Sequence, residues 1–164
     1  MNRVWLLASL PFLLASGSRA WWVDYVYEPK SDASKYGDQF STVELFTCEN
    51  DKYFSAEQCD DVSENNVTFT VLRDLNNDGV NELWSVGVAK YKVGKYPYAN
   101  LVVVSDPTTK EIQQVLSVEL NEPGFAVFSS KANKLSLFFC MECGSYADIV
   151  WNNNEWALVW PEYE

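Results

Sequence analysis

Between Asp74 and Glu82 the chain reads Asp-Leu-Asn-Asn-Asp-Gly-Val-Asn-Glu, a spacing that offers oxygen ligands to a hard cation. Asp74, Asn76 and Asp78 stand at loop positions 1, 3 and 5, and Glu82 stands at 9. Val80, at position 7, contributes its backbone carbonyl. Calcium takes six or more oxygens, and alternate side chains of a tight loop can converge on one point. Gly79 at position 6 lets the backbone turn sharply between ligands. The competing reading is a plain hairpin turn, because Asn-Asp-Gly forms one unaided. An EF-hand is excluded, since position 12, where a bidentate Glu belongs, is Ser85.

Cys140-Met-Glu-Cys143 is the second motif with possible chemistry. A thiol oxidoreductase needs its first cysteine at a helix N-terminus, where the dipole lowers the thiol pKa. Here Cys140 follows the strand-like Leu135–Phe139, and Glu142 would raise a thiol pKa. A structural disulfide is the favoured reading, with a dithiol oxidoreductase as the alternative. The chain contains no histidine, which removes Ser-His and Cys-His nucleophile activation and histidine-rich zinc sites. No pair of acids stands out as a glycosidase pair. The sequence therefore reads as non-enzymatic.

These loops need a scaffold, and from Val67 onward the chain supplies short apolar runs separated by turn residues. Strands are predicted at Val67–Leu72, Glu82–Ala89, Ala99–Ser105, Glu111–Glu119, Gly124–Ser129, Lys134–Phe139, Tyr146–Trp151 and Glu155–Trp160. Alternation is clear at Leu135/Leu137/Phe139 and Trp156/Leu158/Trp160. Short connections imply antiparallel hairpins, forming one sheet or two packed sheets, blade-like or as a sandwich. Residues 21–66 are mixed and irregular. Asp38–Phe46 fits either a strand or one or two helical turns, and Asp60–Asn66 reads as a polar loop. The predicted fold class is mainly β.

Strand, D-x-N-x-D-G-x-x-E, strand resembles the calcium loop of FG-GAP and VCBS repeats, found in propeller blades and in many secreted proteins. The resemblance covers Val67 to Val88 and extends weakly to Val118 as one blade-like unit. It implies that Asp74, Asn76, Asp78, Val80 and Glu82 ligate calcium. Asn76 replaces the usual third-position Asp and lowers the ligand charge. The loop has no second copy, whereas a propeller needs at least four blades.

Residues 1–20 have the form of a secretory signal peptide: Arg3, an apolar run from Val4 to Leu14, then Ser18-Arg19-Ala20. The run is too short to span a bilayer and no second one follows. Export to a periplasm or the extracellular space is expected, with one β-rich domain over 21–164. Twelve basic against 23 acidic residues give a net charge of −11, which disfavours nucleic acid as a partner. Four cysteines in an exported chain point to disulfides, with Cys48–Cys59 and Cys140–Cys143 favoured by proximity and crossed pairings open. Asn66-Val-Thr68 is a glycosylation sequon. Lys92, Lys95, Tyr96 and Tyr98 form a basic, aromatic stretch suited to contact with a protein or an anionic glycan. Its competing reading is an ordinary long hairpin loop. The tryptophans at 21, 22, 151, 156 and 160 read as core. The expected function is an exported binding module acting on another exported or envelope protein, such as a periplasmic inhibitor or immunity-type protein. A structural or surface β module stabilised by calcium is the alternative.

Overall fold

The computed structural model describes residues 33–48, 54–131, 134–139 and 144–162. The signal-like residues 1–20, Trp21, Trp22 and the Cys140/Cys143 pair lie outside them. Two antiparallel sheets pack against each other. In the first, β4 (Glu82–Tyr91) is flanked on one side by β5 (Tyr98–Ser105), with β6 (Ile112–Leu120) beyond. Its other side is shared end to end by β3 (Thr70–Arg73), which pairs Arg73 with Glu82, and β1 (Phe40–Leu45), which pairs Leu45 with Gly87. Val86 bridges the joint, donating its N–H to the Phe69 carbonyl at 3.1 Å and accepting from the Phe46 N–H at 2.9 Å. Asp38–Phe46 thus resolves to a strand.

The second sheet runs in the order β10 (Glu155–Val159), β9 (Tyr146–Asn152), β8 (Lys134–Phe138), β7 (Val127–Lys131), β2 (Val67–Thr68). All eight predicted strands are present, but the first is split. The chain leaves the second sheet after β2 and enters the first at β3, with Phe69 buried at the crossing. At the opposite margin Gln114 of β6 ties the sheets together. Its Nε2 donates to the Trp156 carbonyl and its Oε1 accepts from the Trp156 N–H, both at 2.8 Å.

The polar loop expected at Asp60–Asn66 is instead mostly helix, α1 (Ala56–Glu64). A capping box explains it. Ser55 Oγ accepts from the Gln58 N–H at 3.2 Å, and Gln58 Oε1 accepts from the Ser55 N–H at 2.8 Å, satisfying two groups a helix start leaves open. Val62 is the buried residue of the helix, and Cys59, partly buried, packs against the same core. Cys59 on this helix is disulfide-bonded to Cys48, with Cα atoms 5.8 Å apart.

Pleating divides β4 between two cores. Trp84, Val86 and Val88 point between the sheets and pack with Val102, Val104, Phe128, Leu135 and Leu137. Ala89 points the other way, into a second cluster with Phe40, Val43, Ala99, Leu101 and Val103, against the 3-10 turn Ala33–Tyr36. Strand β5 is consequently buried on both faces, so its Leu-Val-Val-Val run does not alternate. Gly87 is required by close approach: a Cβ there would lie 2.1 Å from the Glu44 carbonyl oxygen.

Candidate metal centre

The acidic loop joins β3 to β4, as strand–loop–strand. Asn77 (φ 61°) and Gly79 (φ 89°) adopt left-handed backbone conformations, which asparagine and glycine tolerate best. No atom lies within 4 Å of where a Gly79 Cβ would stand. The glycine therefore serves conformation, not space. Side-chain oxygens draw the loop inward. Asp74 Oδ1 accepts from the Asp78 N–H at 3.2 Å and its Oδ2 from the Gly79 N–H at 2.8 Å. Asp78 Oδ1 accepts from the Val80 N–H at 2.8 Å. These bonds are the local interactions that make Asx residues favourable in turns.

The result is convergence. Asp74, Asp78 and Glu82 each offer a carboxylate oxygen, and the three lie within 4.8 Å of one another. Asn76 joins the same cluster, with Oδ1 accepting from the Asp78 N–H at 3.1 Å and Nδ2 donating to Asp78 Oδ2 at 3.0 Å. Val80 enters through its N–H, and its side chain is exposed.

Glu82 differs from the other two acids. Pleating puts it on the same face as Trp84, so its side chain points between the sheets beneath the loop and is only 4% exposed. Burial pushes its carboxyl pKa up; backbone hydrogen bonds from Leu75 and Glu82 itself oppose this, and the charges of Asp78 and Asp74 add to the rise. Its Oε2 is buried without a hydrogen-bond partner. A buried carboxylate oxygen left unsatisfied is costly unless a cation or proton meets it.

A cleft of about 430 Å³ opens beside this loop, between it and the second sheet. Asn76 and Asn77 form one wall, and Lys134, Asp148, Trp151 and Trp156 contribute to the rest. Trp156 is buried, as expected of core, but Trp151 and Trp160 are 41% and 48% exposed, which corrects the reading of all three as core. The cleft depends on the register pairing Trp151 with Trp156 across β9 and β10, and on Lys134 reaching Asp148 at 2.7 Å. A hairpin signal at Asn152–Asn154 was available to suggest the first contact; no sequence pattern announces the second.

The basic, aromatic stretch occupies the other end of β4. Lys92 and Lys95 are exposed, Tyr96 and Tyr98 half-buried. Lys95 sits 5.0 Å from the Tyr96 ring centroid. Among the described residues no helix is long and apolar enough to cross a membrane. A scan against protein-family models finds no match, and searches of curated proteins and of solved structures return no similar protein.

Proposed function

We propose that this chain is an exported, non-catalytic binding module in which one calcium ion pins the β3–β4 turn. The observation that carries the metal reading is the buried, unpartnered Oε2 of Glu82 beside two further carboxylates. Asp74, Asp78 and Glu82 hold the ion, completed by Asn76 Oδ1 and the Val80 carbonyl, in the pattern of the FG-GAP-type loop it resembles. An oxygen-only donor set suits calcium better than a transition metal. The ion neutralises the repulsion among three acids and gives Glu82 Oε2 the partner the protein alone does not. Calorimetric titration of the protein with calcium should give a one-site isotherm, lost in Asp74→Ala/Asp78→Ala. Absence of heat in the wild type would sink the metal reading.

The binding role rests on small size, acidity, the disulfide and the lack of histidine. The partner is another exported or envelope protein, as for an inhibitor or immunity-type protein, and co-purification from envelope extract should return it in stoichiometric amount. The alternative, a structural β module stabilised by calcium, is favoured by all the ligands coming from one hairpin. It predicts calcium-dependent melting with no partner.

A further inference from the structure

We propose that the cleft beside the acidic loop binds a neutral saccharide ring stacked on Trp151, and that calcium in the loop strengthens that binding. The calcium dependence rests on the metal reading above; the cleft's chemistry does not.

The volume of about 430 Å³ falls within the range of small-ligand pockets. Its lining then selects the ligand. Trp151 is held in place by a relay of rings: its centroid is 4.6 Å from that of Trp156, which meets the fully buried Trp84 edge-on at 4.7 Å. The Trp84 indole N–H is itself satisfied by the Arg73 carbonyl at 3.3 Å. Trp151 is therefore a fixed, part-exposed aromatic surface on a rigid base, the kind of anchor that loses little entropy on binding.

Charge excludes one class of ligand. The one carboxylate and one ammonium in the lining are committed to each other, Lys134 Nζ to Asp148 Oδ2 at 2.7 Å, while Asp148 Oδ1 accepts from the Ser136 hydroxyl at 2.7 Å. That pair leaves no uncompensated charge to offset desolvation of an ionic ligand. Polarity excludes another. A wholly apolar ligand would cover the amides of Asn76 and Asn77 and the Lys134–Asp148 pair and strip their water without replacing it. What fits is a ligand with an apolar C–H face and a rim of neutral donors and acceptors. A pyranose ring has that shape.

The loop links the two sites through Asn76, which lines the cleft and also bonds to Asp78 within the carboxylate cluster. Ligation of calcium by Asn76 Oδ1 and Asp78 would leave the Asn76 NH₂ free to donate toward a sugar hydroxyl. It would also hold Asn77, the other wall residue, in its left-handed conformation.

The test uses the whole exported chain, calcium-loaded, on an array of neutral, sialylated and sulfated glycans, followed by calorimetry of the best neutral hit in calcium and in EGTA. A neutral glycan should bind, with affinity falling roughly tenfold in Trp151→Ala and staying within about threefold in Trp151→Phe. Calcium heat should be unchanged in both variants. EGTA should weaken the wild type several-fold. No array binding, binding of charged glycans alone, or full affinity in Trp151→Ala overturns the saccharide assignment. Equal affinity in calcium and EGTA overturns the dependence on calcium. A missing calcium isotherm overturns the metal reading and the calcium dependence with it, and leaves the saccharide assignment to the glycan heat in EGTA, which is read separately.

Discussion

At its first residue β4 carries Glu82, buried beneath a loop held by side-chain oxygens. Where it ends, at Tyr91, the chain enters a loop closed by backbone hydrogen bonds: the Tyr91 N–H donates to the Pro97 carbonyl and the Lys92 N–H to the Gln39 carbonyl, both at 2.9 Å. The acidic end gathers three carboxylates into one small volume. The basic end leaves Lys92 and Lys95 exposed. Both are turns on the same strand, yet one is organised around concentrated charge that favours a counter-ion, and the other is complete without one. Turn residues make either kind; only a buried acid at the root distinguishes them.

The largest effect should come from breaking the strand that joins the two ends. Gly87→Ala puts a Cβ against the Glu44 carbonyl and should cost about 3 kcal/mol in urea unfolding, with β1 peeling from β4. A loss under 1 kcal/mol would mean that this contact relaxes freely. Next is calcium itself. At a hundred times its Kd it should add about 2.7 kcal/mol to the wild type, nothing to Asp74→Ala/Asp78→Ala, and the full amount to Lys92→Ala/Lys95→Ala.

Glu82→Gln sharpens the contrast by having opposite effects with and without the ion. Removing the buried charge should stabilise the metal-free protein at neutral pH by about 1 kcal/mol, while abolishing the calcium response. Destabilisation of the metal-free form would show that the carboxylate is already satisfied. A smaller effect is expected from Glu44 of β1, which pairs with Val88 of β4. Burial raises its carboxyl above the ordinary 4.5. Its stabilising contribution is therefore complete below that value and lost as pH rises through the raised one. Glu44→Gln should flatten that part of the pH profile of urea midpoints. Smallest of all, Lys92→Ala and Lys95→Ala should each change stability by less than about 0.5 kcal/mol.

Much of the scaffold was legible because local pattern and tertiary role agree in it. Trp156 and Leu158 alternate along β10 as they pack, and Asn-Asp-Gly turns where the sequence places a turn. The loop residues were legible for the same reason, since all come from nine consecutive positions. The acids of helix α1 suggest a loop, whereas Ser55-Ala-Glu-Gln58 is a helix-start signature and decides for the helix. The split between β2 and β3 left no trace, because Val67–Leu72 is uniformly strand-like and only the second sheet reveals Phe69 as a crossing. Nor could pattern show that Glu82 is buried while Asp78 is exposed. That follows from which face of β4 meets the other sheet.

The Gln114 clamp also bears on how the molecule meets other chains. Strands β6 and β10 lie at the margins of their sheets, where unpaired peptide groups invite a foreign strand to add itself. The primary amide of Gln114 has the same donor and acceptor as a peptide unit, and it takes the N–H and carbonyl of Trp156 together. It acts as a decoy peptide, occupying on β10 the slot through which an aggregating neighbour would begin.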